Sequence, residues 1–358
     1  MHVLILRNDI KGVVMKEIKL SIVVLVYNLE KYLPRCMESL VNQTLEDIEI
    51  LCVDDGSTDS APEIIEEYSR KYPHKVKAFH KENGGEYTTR AYGLNVAKGE
   101  YVAFVDTDDY LELNWAEKLY NAAKANDADI AVCAYERINF ETQKTISVDM
   151  DRENITKKIA PDDDFIAYIT TSLWNKIFKL EKIKECKFFP LVAYNDALFL
   201  LQVYIKAEKI TLIPDVLYHY YVRYDSQINS LKGDIIEKLK KYLLEVKQIY
   251  IENQQYERMK EILDLMAFIH LGISAMYRAS YDKSVDMKKS FKETKAYLDK
   301  HFPTWRKSPF LKMKNCYNKG IRHIGLYGIS ILYKLNLEMV FIKVYRFFID
   351  RLKIDIKF

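Results

Sequence analysis

One stretch of ten residues constrains the fold of this chain more than any other. Residues 100–109 read EYVAFVDTDD, so a run of apolar β-forming side chains ends in three carboxylates within four positions. A buried strand explains the apolar run. It does not explain the carboxylates, because like charges this close repel each other unless a cation lies among them. Asp106 and Asp108 are alternate residues that point to one face of an extended chain, which suits a divalent metal shared with substrate phosphates. An acidic turn that caps the next helix is the alternative.

The charge is unevenly distributed along the chain. The 358 residues leave room for one large domain and a smaller one. Residues 300–358 hold 13 lysines and arginines against 3 aspartates and glutamates, so the overall net charge of +3 hides an acidic body and a basic tail. Such a tail predicts contact with an anionic surface. A membrane is favoured over nucleic acid, because no nucleic-acid-binding motif accompanies the charge.

Cysteine usage and hydropathy predict a cytosolic protein. The five cysteines are far apart and form no C-x-x-C pair, which is typical of reduced core thiols rather than of a zinc site or a disulfide framework. No run of about 18 uninterrupted apolar residues is present, so no membrane-spanning helix is predicted. Residues 1–18 are interpreted as an N-terminal extension that need not be native, since Met15 would serve equally well as a start.

Strands and helices alternate over about 115 residues, which predicts an open, mostly parallel α/β sheet. Apolar runs predict strands at 20–26, 48–53, 76–79, 101–105 and 129–134. Ligands bind at the carboxyl ends of the strands in such sheets. Tyr27, the pair Asp54 and Asp55, and the carboxylates after residue 105 all lie at such ends. Their shared position is the main evidence for a site.

The second half of the chain is predicted to become progressively helical. Residues 135–161 show no clear period and are interpreted as irregular or mixed structure. A helix at 197–207 is followed by two short strands at 210–213 and 216–221. Nearly everything beyond residue 225 has helical periodicity. A capping box, Ser60 with Glu63, is predicted to open the second helix of the first half.

The order of these motifs resembles that of family 2 glycosyltransferases. The resemblance covers about residues 19–225 and rests on SIVVLVYN at 21–28, VDDGSTD at 53–59, Asn83 and Gly85 with Arg90 and Gly93, and DTDD at 106–109. It implies a GT-A domain over residues 19–225, followed by a helical C-terminal region over 226–358. It also implies a nucleotide-sugar donor, a Mg²⁺ or Mn²⁺ ion, and inversion at the anomeric carbon.

The resemblance assigns roles at the strand ends. Tyr27 and Asp55 would contact the uracil-type base of a UDP-sugar, with Asp54 adjacent, and Arg90 would help to position the donor phosphates. Asp106 would lie near the ribose and the metal. Asp108 would bind the metal that bridges the diphosphate.

Asp196 is the residue that the resemblance assigns as catalytic base. The chemistry needs one carboxylate within reach of the attacking acceptor hydroxyl. The family typically has Glu-Asp at this place, and this chain has Asn195 before Asp196. Capping of the following helix is the alternative role for Asp196.

Two aromatic segments carry weaker assignments. Trp174, in WNKIF at 174–178, would stack on the acceptor sugar, and core packing is an equal alternative. His219, in LYHYY at 217–221, matches a region in which some relatives have a histidine that completes the metal shell. A structural or surface role is the more usual one for a histidine at a strand end.

The tail adds a membrane hypothesis. Lys343, Arg346 and Lys353 follow helical spacing with Asp350 and Lys357, and Phe341, Val344, Phe347 and Phe348 lie largely opposite. Such a helix suits a membrane interface, and packing against other tail helices is the alternative.

The expected function is therefore transfer of a sugar from a UDP-sugar to a saccharide or lipid-linked acceptor, at the inner face of the plasma membrane, in surface polysaccharide synthesis. The competing hypothesis is a non-catalytic nucleotide-sugar-binding subunit, which Asn195 favours. An NAD-dependent enzyme is excluded, because no G-x-G-x-x-G follows the first strand. Nucleotidyl transfer lacks its usual basic Gly-rich loop.

Overall fold

The computed structural model describes residues 17–151, 154–191, 193–223, 234–316 and 319–351. A ten-stranded mixed sheet forms its centre, in the order β3-β2-β1-β4-β9-β6-β10-β5, with β7 paired to β6 and β8 to β10. The strands are β1 Leu20–Val26, β2 Ile48–Asp54, β3 Val76–His80, β4 Tyr101–Asp106, β5 Tyr110–Leu111, β6 Ile130–Asn139, β7 Thr145–Asp149, β8 Ile155–Lys158, β9 Lys176–Lys179 and β10 Lys209–Val222. The first 14 residues, which the sequence sets apart, lie outside the described part.

The first four strands of the sheet order are parallel, as predicted. β1 pairs in parallel with both β2 and β4, and β2 pairs in parallel with β3. β9 then runs antiparallel to its two neighbours, β4 and β6, and β6 and β10 are again parallel to each other. The carboxyl ends of β1 and β4 therefore meet at one edge of the sheet, which places residues 27 and 106–108 close together.

Helices cover both faces of the sheet and then continue into a helical C-terminal region. Those of the first half are α1 Leu33–Val41, α2 Ala61–Lys71, α3 Glu86–Val96, α4 Trp115–Asn126, α5 Leu180–Ile183 and α6 Asn195–Lys206. The helical region contains α7 Ile235–Glu252, α8 Tyr256–Ala267, a π-helix Phe268–Ala275, α9 Met276–Ala279, α10 Met287–His301, α11 Met313–Cys316, α12 Ile321–Lys334, α13 Glu338–Arg346 and a π-helical turn Phe347–Arg351.

The two faces of the sheet belong to two apolar clusters. Alternate residues of β1 separate between them: Ile22 and Val24 lie in one cluster with α1 and α4, whereas Val23 lies in the other with Leu94 of α3. This follows from the two-residue period of a strand. The second cluster continues from the sheet through α6 into the helical region, so the core has no break at the domain boundary predicted near residue 225. That boundary stays a prediction.

One segment of the described residues, Tyr256–Ala279, is long and apolar enough to cross a membrane by length and composition alone. Of its most apolar window, 83% is buried inside the protein. The segment is the central helix of the helical region, built from α8, the π-helix and α9 end to end.

Three local predictions differ from the structure. Residues 135–161, predicted as irregular or mixed structure, contain the end of β6 together with β7 and β8. The two short strands predicted after residue 210 form one strand, β10, with register shifts on either side of Val216. Ser60 makes no side-chain cap bond, and Asp59 instead accepts a hydrogen bond from the amide of Ala61 at 3.0 Å.

Candidate active site

A cavity of about 1030 Å³ lies at the carboxyl ends of β1 and β4, between the sheet and the helical region. Its volume is at the upper end of the range for small-molecule sites, so a nucleotide sugar and part of an acceptor could occupy it together. Most of the residues assigned from the sequence line it: Tyr27, Asp55, Arg90, Asp106, Asp108, Trp174 and Asp196. Asp54 and His219 do not.

Arg90 of α3 is the centre of the charged cluster in this cavity. Its guanidinium donates to the carboxylate of Asp196 at the start of α6 and pairs with Glu86 at 2.7 Å. Its second terminal nitrogen lies 3.5 Å from Asp106 Oδ1. The Arg90 side chain is almost fully buried, and a buried charge of this kind is stable only when it is paired. One arginine therefore fixes the predicted base and a predicted metal ligand relative to each other.

The acidic end of the cavity carries more negative than positive charge. Burial raises the pKa of Asp106 to about 7; Arg90 opposes this shift, and the neighbouring carboxylates of Glu86, Asp108 and Asp196 add to it. A carboxylate with a raised pKa in a cleft is a common feature of functional sites. The charged form of Asp106 would be favoured by any cation that approached it.

Asp108 lies in the turn after β4 and is held from two sides. Its carboxylate pairs with Arg223, at the end of β10, at 2.9 Å. Its backbone carbonyl accepts a hydrogen bond of 2.8 Å from Arg35, whose guanidinium lies 4.0 Å from the ring centroid of Tyr221. Burial raises the pKa of Asp108, although Arg223 acts in the opposite direction. The turn after β4 is thus held by α1 and by the residue that follows β10.

The third carboxylate of the acidic stretch has a structural role. Asp109 is fully buried and accepts hydrogen bonds from the Tyr218 hydroxyl at 2.8 Å and from the Tyr221 amide at 2.9 Å. Burial raises its pKa well above the usual value for an aspartate. Asp109 does not line the cavity. It joins the end of β4 to β10, so of the three carboxylates Asp106 and Asp108 are the two that line the cavity.

The two aspartates at the end of β2 also differ from the prediction. Asp54 is buried, and its carboxylate accepts from the Ser57 amide at 3.0 Å and lies 3.2 Å from His80 Nδ1. Both of its oxygens are occupied inside the protein, away from the cavity. The structure therefore does not bring Asp54 to the cavity.

Asp55 lines the cavity, but its oxygens hold a loop. They accept hydrogen bonds from the amides of Gly84 at 2.9 Å and Gly85 at 2.8 Å, and Lys81 pairs with one of them. Burial acts to raise the pKa of Asp55, but these donors outweigh it and hold the pKa below its usual value. Asp55 shapes the wall beside Tyr27, whose ring is exposed to the cavity.

Trp174 packs in the core and also reaches the cavity. Its ring stacks on Tyr218 at 4.5 Å and on Tyr220 at 5.3 Å between centroids, and it lines the cavity although only 7% of the residue is exposed. The buried Lys176 fixes the loop that carries it, since its ammonium donates to the carbonyls of Thr170 at 2.9 Å and Ser172 at 2.6 Å.

His219 is not placed as a metal ligand. It is buried on the far side of β10, where its ring nitrogens lie 2.6 Å from Glu136 and 2.9 Å from Glu112, and it stacks on Tyr110 at 4.2 Å. Neighbouring residues of a strand point to opposite faces, so Tyr220 faces the cavity and His219 faces away. The assignment of His219 to the metal shell is therefore not supported by the geometry.

Comparison with known proteins agrees with this arrangement. A model of the family "Glycosyl transferase family 2" matches residues 21–185. The chain is 31% identical over 264 residues to the putative glycosyltransferase EpsH of Bacillus subtilis, a match that covers 71% of this chain and 75% of EpsH. The chain belongs to glycosyltransferase family 2.

A second relative matches this glycosyltransferase more closely over a shorter span. The poly(ribitol-phosphate) beta-glucosyltransferase of Bacillus spizizenii is 37% identical over 221 residues, which is 60% of this chain. The match spans only 34% of the length of that relative.

Among solved structures, residues 1–349 of TarS from S. aureus, in complex with UDP-GlcNAc, superpose with a TM-score of 0.69. The match covers 92% of this glycosyltransferase and 91% of that chain at 22% identity. This likeness shows a shared fold, which is the GT-A arrangement with a helical C-terminal region expected from the sequence.

The residues of this glycosyltransferase fit a divalent metal held jointly with a diphosphate. Asp106 and Asp108 supply oxygen ligands at one strand end, and burial, with the neighbouring carboxylates, raises the pKa of Asp106, a shift that a bound cation would offset. No cluster of three or more His, Cys, Asp or Glu side chains suited to a metal occurs within the described ranges. The remaining ligands would have to come from phosphate oxygens and water, as is usual for Mg²⁺ beside nucleotides.

Several cavity residues were not found from the sequence. Glu86, Arg223 and Arg278 line the cavity. Glu86 lies one turn before Arg90 on α3, and this i,i+4 spacing is a signal that could have identified it. Arg223 directly follows β10, so its strand-end position could also have been noticed. Arg278 lies in a helix of the C-terminal region and gave no local signal.

Proposed function

We propose that this chain is an inverting glycosyltransferase that moves a sugar from a UDP-sugar to a hydroxyl group of a saccharide or lipid-linked saccharide acceptor. The observation that carries the proposal is the shared contact of Arg90 with Asp196 and Asp106 inside one cavity. It holds a general base next to the carboxylates suited to the donor phosphates.

Asp196 is the base in this mechanism. One of its oxygens is held by Arg90 and the other lies 3.3 Å from the amide of Leu173, while about a quarter of the side chain remains exposed. It takes the proton of the acceptor hydroxyl as that oxygen forms a bond to the anomeric carbon. The bond from this carbon to the diphosphate breaks at the same time, and UDP leaves with the electron pair. Attack from the face opposite to the leaving group inverts the configuration.

Asp106 and Asp108 would hold a Mg²⁺ or Mn²⁺ ion. When bound, such an ion neutralises charge that develops on the leaving diphosphate. Tyr27 is exposed beside them and offers a ring on which the uracil base would stack. Trp174 offers an aromatic surface for the acceptor sugar.

Asn195 bears on the alternative that the protein binds a nucleotide sugar without turnover. Its side-chain oxygen accepts a hydrogen bond of 2.9 Å from the amide of Phe189, and the residue is buried. Asn195 thus supports the chain before α6, and its presence does not displace the carboxylate of Asp196. This favours the catalytic function.

A membrane-side location is the second part of the proposal. Leu337, Val340, Val344 and Phe347 are spaced by three and four residues along the last helix, and each is between 43% and 54% exposed. This exposed stripe, with Lys343 beside it, suits the interface of an anionic membrane. Phe341, which the sequence placed on the same apolar face, is instead buried among the helices of the C-terminal region. We place the protein in the cytoplasm at the inner face of the plasma membrane, in synthesis of a surface polysaccharide.

The test is release of UDP from a panel of UDP-sugars, with Mn²⁺ or EDTA, by wild type and Asp196→Asn. Metal-dependent release that Asp196→Asn lowers at least 1000-fold, with donor affinity retained, supports the proposal and identifies the sugar. Metal-dependent donor binding without turnover, even with membrane extract as acceptor, would favour the binding subunit. Failure to bind any UDP-sugar would contradict the donor assignment.

A further inference from the structure

The helical region supplies one wall of the cavity through the segment Tyr256–Ala279. The middle of this segment is wound as a π-helix, Phe268–Ala275. π-helical turns are rare and occur frequently at functional sites. From this segment the cavity is lined by Ile269, His270, Ile273, Ser274, Tyr277 and Arg278. His270, Ser274 and Arg278 recur every four residues, so the polar side chains form a column along one face.

Arg278 differs from other arginines of the cavity. Arg90 faces Asp196, Arg223 faces Asp108, and Arg322 lies 3.3 Å from Asp149. No carboxylate in the described part of the chain forms an ion pair with Arg278, whose guanidinium lies 5.9 Å from the ring centroid of Tyr194. Its side chain is half-buried.

An unpaired cation on a cavity wall needs an explanation. Removing a charge from water costs free energy unless a counter-charge compensates for it. The other ionisable side chain of the column is His270, whose pKa burial lowers to about 4, so it is neutral at pH 7. The charge of Arg278 is therefore neither paired within the described chain nor shared with the histidine. It is available to a ligand.

Tyr194 relates Arg278 to the predicted base. The Tyr194 hydroxyl lies 3.1 Å from the Ser274 hydroxyl, one turn before Arg278 on the π-helical wall. Tyr194 precedes Asp196 by two residues, so their Cα atoms are at most about 8 Å apart. Arg278, Tyr194 and Asp196 all line the cavity, so the cation and the predicted base border the same space.

We propose that Arg278, with the hydroxyl groups of Tyr194 and Ser274, binds an anionic group of the acceptor in the same cavity as the hydroxyl that reacts. Arginine recognises phosphate and carboxylate through paired N–H donors, and the hydrogen-bonded pair of hydroxyl groups leaves one further O–H donor for the ligand. The acceptor class is then an anionic chain that carries a phosphodiester or a uronic acid. This inference rests on the proposed function, because it describes the acceptor of that reaction.

The experiment measures binding of small probes to the UDP-loaded protein by calorimetry. The probes are glycerol 3-phosphate against glycerol, and galacturonate against galactose. We expect at least one anionic probe to bind tenfold or more tightly than its neutral counterpart. Preference for glycerol 3-phosphate indicates a phosphate-bearing acceptor, and preference for galacturonate a carboxylate-bearing one. Equal affinity for charged and neutral probes would overturn the proposal.

The matched variants are Arg278→Gln, Arg278→Lys and Arg258→Gln. Arg258 is exposed on the same long helix and does not line the cavity, so its substitution is the control. Arg278→Gln is expected to abolish the preference for the anionic probe, Arg278→Lys to keep part of it, and Arg258→Gln to keep all of it. Thermal unfolding checks that each variant is folded. If Arg278→Gln is not folded, Arg278→Lys tests the site instead.

The UDP affinity of the same variants shows whether Arg278 binds the acceptor or the donor. If Arg278→Gln weakens UDP binding as strongly as probe binding, the cation serves the donor diphosphate and the proposal is wrong. Failure of the anion-site proposal can also be distinguished from failure of the proposed transferase function. A protein that binds the anionic probe through Arg278 but releases no UDP would contradict the transferase and leave the anion site supported.

Discussion

The guanidinium of Arg90 donates to the carboxylate of Asp196 across 106 positions of the sequence. This contact joins α3 to the first turn of α6. Because Asp106 and Glu86 contact the same guanidinium, one side chain sets the geometry of three carboxylates.

Replacement of Arg90 should affect both stability and activity. Arg90→Gln leaves three carboxylates facing one another without a cation, and loss of one partner from a buried ion pair typically costs about 3–5 kcal/mol. Urea denaturation measures the change. Arg70→Gln, at an exposed position of α2, is the control and should have little effect. A stable Arg90→Gln protein with unchanged donor turnover would contradict the role of this cluster.

Asp108 and Asp109 should respond differently to the same substitution. Asp108→Asn removes one of the two proposed metal ligands, so the ratio of donor affinities with Mn²⁺ and with EDTA should fall about tenfold or more. Asp109→Asn alters a buried contact with Tyr218 and should lower stability while the metal response persists. Donor titrations in both conditions give the ratio. If Asp109→Asn lowered the metal response and Asp108→Asn did not, the assignment of Asp106 and Asp108 as the metal ligands would be wrong.

Two glycine substitutions should have opposite effects on stability. A Cβ on Gly93 of α3 would overlap both methyl carbons of Val23 in β1, so Gly93→Ala should cost about 3 kcal/mol through overpacking. A Cβ on Gly328 of α12 would meet no atom within 4 Å, so Gly328→Ala should stabilise by about 1 kcal/mol. Chemical denaturation compares both with wild type. Equal effects would mean that α3 does not pack this closely on the sheet.

His270 should make stability depend on pH in the acid range. Burial lowers its pKa to about 4, whereas an unfolded histidine has a pKa of about 6.5. Between these values the unfolded chain binds a proton that the folded chain does not, so this contribution to stability is complete above pH 6.5 and is lost as the pH falls towards 4. At pH 5 the loss is about 2 kcal/mol.

The measurement compares unfolding of wild type and His270→Gln at pH 7.5 and pH 5. The variant should lose less stability than wild type between these two values. His74→Gln, at an exposed position, should behave like wild type. Parallel losses in wild type and His270→Gln would show that His270 takes up its proton in the folded state as well.

The exposed stripe of the last helix should carry membrane binding. Wild type is expected to float with vesicles that contain anionic lipid, and the double variant Val344→Glu, Phe347→Glu should not, because it places two charges at the apolar interface. Met313→Glu, at an exposed apolar position outside the stripe, is the control. Flotation of the double variant at wild-type level would remove this surface from the proposal.

The central strands were predictable because their apolar runs are continuous and end abruptly. β1 begins and ends at the predicted residues, and β4 extends one residue further, to Asp106. The outer strands were not predictable for the opposite reason. β7 and β8 are short and contain no buried residue, so neither shows a continuous apolar run. Pro214 and Asp215 looked like a loop, but β10 passes them with a change in register.

The sequence predicted which types of residue lie at the strand ends. It did not predict which of them line the cavity and which are hydrogen-bonded inside the protein. Sequence spacing could not show that Asp54 is occupied inside the protein while Asp55 reaches the cavity wall, because both follow the same strand. Nor could it pair Asp196 with Arg90, since that contact depends on how α3 and α6 pack. His219 was assigned to the wrong face of β10. Adjacent residues of a strand point to opposite faces, and it is Tyr220, the next residue, that faces the cavity.

The cavity has two walls of separate origin. Strand ends near the middle of the first half hold the charged cluster, and the π-helical segment from the second half faces it. Changes along residues 269–278 can therefore reshape what enters from that side without disturbing the aspartates opposite. Related proteins could therefore differ in what they bind through substitutions in this one helical segment, while the aspartates on the opposite wall stay the same.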